Sequence, residues 1–201
     1  MTKDELLKSI AETGYNVGFG AKKHFATYDI VEKVPGFIGF LSLAFGIYAL
    51  AFNGLSTKFL SASFIVLGVI GLYISPYEHN KSEYMSLGVK LTQLYNELGR
   101  LYRDAKSADD DDIENLAIKF AQLQNTYYES CLSKQILFSD WYAHYKFFWQ
   151  HQVEWVDEQK KFKLFRDKIP LTFSIFIVFL FVSLIAWRVE LLVHACQAVS
   201  P

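Results

Sequence analysis

Charged side chains are missing from three long stretches of this 201-residue sequence: Val34–Thr57, Phe59–Tyr77 and Ile169–Trp187. Nineteen helical residues rise about 28 Å, close to the roughly 30 Å hydrocarbon core of a bilayer. Val34–Phe52 and Phe59–Ser75 each hold ten Leu, Ile, Val or Phe residues, and Ile169–Trp187 holds thirteen. At roughly −0.3 to −0.6 kcal/mol each near mid-membrane, ten such residues favour insertion by about 3 to 6 kcal/mol, before the costs of Gly, Ser and Pro. Each run is therefore long enough to span once. The link Asn53-Gly54-Leu55-Ser56 is too short to return through water, so the first two runs are predicted to form a tight hairpin with both outer ends on one side.

Other absences narrow the chemistry. Only two cysteines occur, Cys131 and Cys196, and they are expected on opposite sides of the membrane, so neither a disulfide framework nor a metal cluster is expected. A net charge of −1 lacks the basic excess of a nucleic-acid binder. There is no phosphate-binding glycine loop, nucleophile elbow, paired-cysteine motif or zinc-helix motif. Ionisable residues inside the spans, the usual mark of a proton or ion pathway, are missing too, which weakens pump and transporter readings. A pore between subunits stays open, with Ser42, Ser61, Ser63, Thr172, Ser174 and Ser183 as possible walls.

The first 33 residues mix five acids with five bases and lack a signal-peptide core, so the hairpin is expected to act as its own insertion signal. Lys22, Lys23 and Lys33 precede it, and Lys81 and Lys90 follow. Lys160, Lys161, Lys163, Arg166 and Lys168 crowd the entrance to the third span, whereas the hairpin turn has only Lys58. The lysine and arginine bias predicts a cytoplasmic head (1–33), a transmembrane hairpin (34–76), a cytoplasmic middle (77–168), a third span (169–187) and an extracytoplasmic tail (188–201). The fold class is an all-α membrane protein.

Between the spans the periodicity is helical. Residues 4–30 carry the stripe Leu7, Ile10, Gly14, Val17, Ala21 and Tyr28. Gly14 and Gly18 either let another backbone come near or belong to a loosely packed amphipathic helix that bears their cost. Pro35-Gly36 is expected to break the helix at the membrane surface. Tyr84, Leu87, Leu91, Leu94, Leu98 and Leu101 form an unbroken three-four alternation, followed by a matching stripe of Ile113, Leu116, Phe120, Leu123 and Tyr127. The pair predicts an antiparallel helical hairpin joined through Ser107–Asp112, whose acids lack the ligand alternation of a calcium loop. Ser139-Asp140 reads as a cap opening a third helix that runs to about Lys168. Its aromatic face, Trp141, Tyr145, Phe148, Trp155 and Phe162 with Trp149 beside it, is expected to be core, the alternative being a base-stacking platform. The opposite face, Asp140, His144, His151, Glu154 and Glu158, is expected to be solvated. His144 and His151 lie about 10.5 Å apart along the axis, too far to share one ion. His24, His79 and His194 read as isolated surface or interface histidines.

The order of parts resembles the SLATT family, two-transmembrane effectors associated with nucleotide-second-messenger synthases and SLOG sensor domains in bacterial conflict systems. The resembling residues are the head Thr13–Lys33 running into Val34–Leu50, the stripe Leu87–Tyr102, and Ser139-Asp140-Trp141-Tyr142-Ala143-His144-Tyr145-Lys146. Together the resemblance covers about residues 5–150. The third span goes beyond the two-span plan and suggests a subtype with an added C-terminal helix. The resemblance implies a multi-pass protein of the bacterial inner membrane that oligomerises into a pore, or disrupts the bilayer, when a partner senses infection. It implies a nucleotide-second-messenger synthase, a SLOG protein or a reverse transcriptase encoded nearby, and it supplies neither catalytic residues nor a cofactor. On this reading Gly36, Gly39, Gly46, Gly68 and Gly71 permit close helix approach, and Leu87, Leu91, Leu94, Leu98 and Leu101 set oligomer register. Two alternatives remain: the glycines pack the hairpin within one subunit, or the protein is a non-conducting scaffold that recruits a soluble enzyme through its cytoplasmic helices.

Overall fold

A computed structural model describes residues 1–51, 57–130, 134–151 and 153–199. Seven α-helices follow one another among them: α1 (Lys3–Ala51), α2 (Thr57–Glu78), α3 (Lys81–Ser107), α4 (Ile113–Tyr128), α5 (Ser139–Gln150), α6 (Glu154–Lys160) and α7 (Leu171–Val199). The described residues form no strand, and α1, α2 and α7 each contain a stretch long and apolar enough to cross a membrane. The chain is an all-α membrane protein. Two compact units result, Met1–Lys161 and Phe162–Pro201.

The first unit is built on α1, whose 49 residues run through both the polar head and the first apolar run. The expected break at Pro35 does not occur. Proline removes one amide donor and crowds the carbonyl four residues back, at a cost of about 3 kcal/mol. Two conditions on either side of Pro35 oppose that cost. On the polar side, Val31 is 2 % exposed within a cluster with Ile74, Tyr77, Tyr84 and Ile136. On the apolar side, hydrocarbon offers unpaired amides no water, so continuing the helix is the only way to satisfy them. Pro76 likewise lies inside α2, which ends two residues later at Glu78. The turn at Asn80 then starts α3, its carbonyl accepting from the Glu83 and Tyr84 amides at 3.0 and 3.1 Å.

Helix α3 lies along the polar half of α1, and α4, α5 and α6 also pack on α1. Tyr84, Leu91, Leu94, Leu98 and Leu101 are all buried, and Leu87 is half-buried. Ile113, Leu116 and Phe120 turn α4 inward in the same way. The α3–α4 connection falls where the aspartates are, with a 3₁₀ turn at Asp110–Asp112. The Lys3 ammonium donates to the Ala108 carbonyl at 2.7 Å and ties the N-terminus to this loop.

The segment after residue 138 departs from the expected single helix. Phe138, in a left-handed conformation (φ 66°), holds the N-cap position of α5 and makes no side-chain capping bond, and Ser139 is already the first helical residue, so the expected Ser139-Asp140 cap is not formed. Helix α5 stops at Gln150, His151 is extended, and α6 starts afresh at Glu154. This break resets the helical phase. Ser139, Ala143 and Phe147 are the buried positions of α5, while Tyr145 and Trp149 of the expected core face are exposed. Glycine sockets on α1 explain the choice. A Cβ on Gly18 would sit 2.7 Å from the Tyr95 ring and 2.8 Å from the Phe147 ring, and one on Gly14 would collide with the Trp155 indole. What comes close to the Gly14–Gly18 pair is therefore aromatic rings, not a second backbone.

In the second unit a π-helical turn at Leu164–Lys168 precedes α7. The Asp167 carboxylate accepts from the Lys163 amide at 2.8 Å and pairs with Arg166. The apolar stretch Leu171–Arg188 has none of its residues buried.

The sockets yield a test. Gly18→Ala gains about 1 kcal/mol of helix propensity, but it overpacks a site walled by two buried rings, at a cost of about 1 to 3 kcal/mol. Gly18→Ala should lower the unfolding midpoint in detergent, followed by near-ultraviolet circular dichroism, whereas Gly20→Ala, whose Cβ would find only Leu91 Cδ1 at 3.6 Å, should not.

Candidate functional site

Three features could carry function: the membrane hairpin, its junction with the polar bundle, and the histidine-bearing face of the bundle. In the hairpin, α1 and α2 lie against each other. The turn Asn53-Gly54-Leu55-Ser56 lies outside the described residues. A Cβ built on Gly36, Gly39, Gly46, Gly68 or Gly71 would meet nothing within 4 Å. These glycines therefore do not serve close packing between α1 and α2 of one chain. Phe40, Leu43, Leu50, Ile65 and Leu72 are exposed around them. The Ser63 hydroxyl donates to the Phe59 carbonyl of its own helix at 2.9 Å, so that donor is already engaged.

The leucines have a different fate. Leu91, Leu94, Leu98 and Leu101 are covered within the chain, in the helix that packs along α1. Only Leu87 keeps partial exposure.

At the junction, charges form a collar just before the apolar runs. The Asp29 carboxylate accepts from Lys33 at 2.7 Å and also from Lys146 of α5, and Lys81 pairs with Glu32 at 2.5 Å. Burial pushes the Asp29 carboxyl up, but the hydrogen bonds and charges of Lys146 and Lys33 outweigh it and hold it below the ordinary range. Lys134–Phe138 crosses the same level. The Tyr84 hydroxyl donates to the Lys134 carbonyl at 2.8 Å, and Tyr77 donates to the Gln135 carbonyl at 3.4 Å. The Thr27 hydroxyl donates to Gln135 Oε1 at 2.5 Å, and the Leu137 amide donates to the Tyr73 hydroxyl at 3.0 Å. Sequence reasoning missed this turn; its available signal was the apolar triplet Ile136-Leu137-Phe138, which belongs to no periodic stripe.

The histidine face turns inward where it was expected to be solvated. The His144 ring lies 4.8 Å from that of Phe19, edge to face, and its Nδ1 is buried without a hydrogen-bond partner among the described residues. Burial lowers its pKa despite nearby Asp140. His151 lies 4.7 Å from the Tyr95 ring, and burial with the Lys22 charge pushes it to about 4 against the opposing pull of Glu154. His24 is buried, not a surface residue. Its Nδ1 is 3.3 Å from Gln135 Nε2, and burial with the Lys23 charge brings it to about 4. The carboxylates of this face look outward instead: Asp140 pairs with Lys23 at 2.8 Å and Glu158 with Lys106 at 2.5 Å. Imidazoles and carboxylates thus part company, and among the described residues no three His, Cys, Asp or Glu side chains gather to hold a metal. Beside His151 a groove of about 870 Å³ is lined in part by Tyr95, Arg100, Arg103, Glu154 and Trp155. Among the described residues its lining offers charge and aromatic surface but no serine, threonine or cysteine nucleophile.

A model of SLATT_6, described as SMODS and SLOG-associating 2TM effector domain 6, matches residues 1–177. The chain belongs to this family. The SLATT_6 match takes in α1 to α6 and ends inside α7. No curated protein and no solved structure matches the chain.

The buried imidazoles set a pH dependence. His24 and His151 bind protons at about 4 when folded, against 6.5 ordinarily, so between those values the unfolded chain takes up more protons than the folded one. Their stabilising contribution should be complete above pH 6.5 and fade as pH falls from 6.5 towards 4. Melting temperature in detergent should drop over that window, and the slope should flatten in a His24→Gln, His151→Gln double variant.

Proposed function

We propose that this SLATT_6 protein is a non-enzymatic effector of the bacterial inner membrane that assembles through its α1–α2 hairpin and permeabilises the bilayer when a partner encoded nearby detects infection. The observation that carries the reading is the emptiness around the hairpin glycines, all five of which have nothing within 4 Å. Glycine weakens a helix by about 1 kcal/mol relative to alanine, and lipid supplies no hydrophobic drive for helices to associate. Small residues facing outward are what let a second hairpin approach closely. The uncharged spans add no barrier of buried charge to such an assembly. A second reading, a non-conducting scaffold, draws support from the exposed rings Tyr145 and Trp149 on α5, which offer a soluble partner an apolar surface.

Gly39→Leu and Gly68→Leu keep apolar length while filling the approach surface. Both should insert normally, yet fail to cross-link as oligomers and fail to depolarise cells in which the wild type does so on infection. An unchanged membrane potential in infected cells carrying the wild type and its neighbouring genes would favour the scaffold.

The lysine and arginine bias further supports a cytoplasmic polar bundle. Cys131, outside the described residues, should resist an impermeant thiol reagent in intact cells, and Cys196 should react. Labelling of Cys131 in sealed cells would reverse the proposed orientation.

A further inference from the structure

The Lys134–Phe138 turn is fixed by hydrogen bonds and by burial. Four of its backbone and side-chain groups are fixed by Tyr84, Tyr77, Thr27 and Tyr73, and Ile136 is buried in the junction cluster with Val31 and Ile74. The two side chains that follow point the other way. Leu137 is 60 % exposed and Phe138 is 54 % exposed. Phe138 also takes the left-handed backbone conformation that a bulky residue rarely adopts. Such an arrangement holds two apolar side chains outward where burial in the bundle would remove them from water.

Their height relative to the membrane follows from α2. The uncharged run ends at Tyr77, and Tyr73 lies one helical turn, about 6 Å, further in. Because the Leu137 amide is bonded to the Tyr73 hydroxyl, the exposed pair sits at the level of the last turn of the span. Tyrosine and tryptophan favour the membrane–water interface, and lysine snorkels to headgroup level. Tyr73 and Tyr77 stand there with ring centroids 5.9 Å apart, and the Lys134 ammonium is 4.9 Å from the Tyr77 ring centroid. Trp141 adds another interfacial ring, 4.9 Å from Phe138.

We propose that this turn is an interfacial membrane anchor: Leu137 and Phe138 enter the boundary between lipid headgroups and acyl chains beside α2, with Lys134 at headgroup level. The bundle would then be seated on the bilayer by a non-spanning contact as well as by its spans. The occupant of the exposed pair is lipid, because the surface is continuous with a membrane-spanning helix.

The test uses the full chain with Cys131→Ser and Cys196→Ser, and single cysteines introduced as Leu137→Cys, Phe138→Cys or, for reference, Ile118→Cys on α4, an exposed site. Each is labelled with an environment-sensitive nitrobenzoxadiazole dye and reconstituted in vesicles of phosphatidylcholine and phosphatidylglycerol. Nitroxide carried on the upper acyl chain should quench labels at 137 and 138 several-fold more than the label at 118, and aqueous iodide should do the reverse. Iodide quenching at 137 and 138 equal to that at 118 would place the turn in water and overturn the proposal. Protection from both quenchers would assign the surface to a second copy of the chain and overturn it equally.

Discussion

The absence of water in hydrocarbon is the constraint on which this structure depends. A backbone entering the bilayer must keep its amides paired within the helix, and α1 meets that demand by running unbroken from Lys3 to Ala51, proline included. The same helix is the central strut of the polar bundle, with α3, α4, α5 and α6 packed on it. One element thus answers to two solvents. Its polar half is held by side-chain burial, and its apolar half by backbone necessity. The junction between them is reinforced by the Asp29–Lys33–Lys146 charges and by the cluster around Val31.

Much of this was legible in the residues. Uncharged runs reveal spans because the cost of a charge in lipid leaves a plain mark, and the leucine stripe of α3 revealed a buried face because its period is unbroken. The loop at Ser107–Asp112 was equally plain. The face of α5 was not. Rings and histidines occupy both sides of that helix, so periodicity alone could not tell which side is inside, and the stop at Gln150 removed the phase relation between Trp141 and Trp155. Long-range complementarity decided it: Phe147 fits at Gly18, and Trp155 at Gly14 and Gly99. Nothing within α5 announces those sockets.

Two groups of candidate assembly residues separate in the same way. The leucines at 91, 94, 98 and 101 are occupied within the chain, while the five hairpin glycines stand open. A glycine in a sequence announces permission for close approach without naming what approaches. Gly14, Gly18 and Gly88 meet rings of Trp155, Tyr95, Phe147 and Phe25, and those in the spans meet nothing of their own chain.

The continuity of α1 also fixes an angle. Successive residues of a helix are turned by about 100°, so the azimuth of Gly36 and Gly39 in the membrane is geared to that of Gly14 and Gly18 in the bundle, with no joint between. One residue inserted between Val31 and Gly36 would swing the bundle through nearly a third of a revolution relative to the glycine face, and seven would bring it almost back into phase. The helix behaves as a keyed shaft, on which the facing of the membrane helix and the facing of the bundle are a single coordinate.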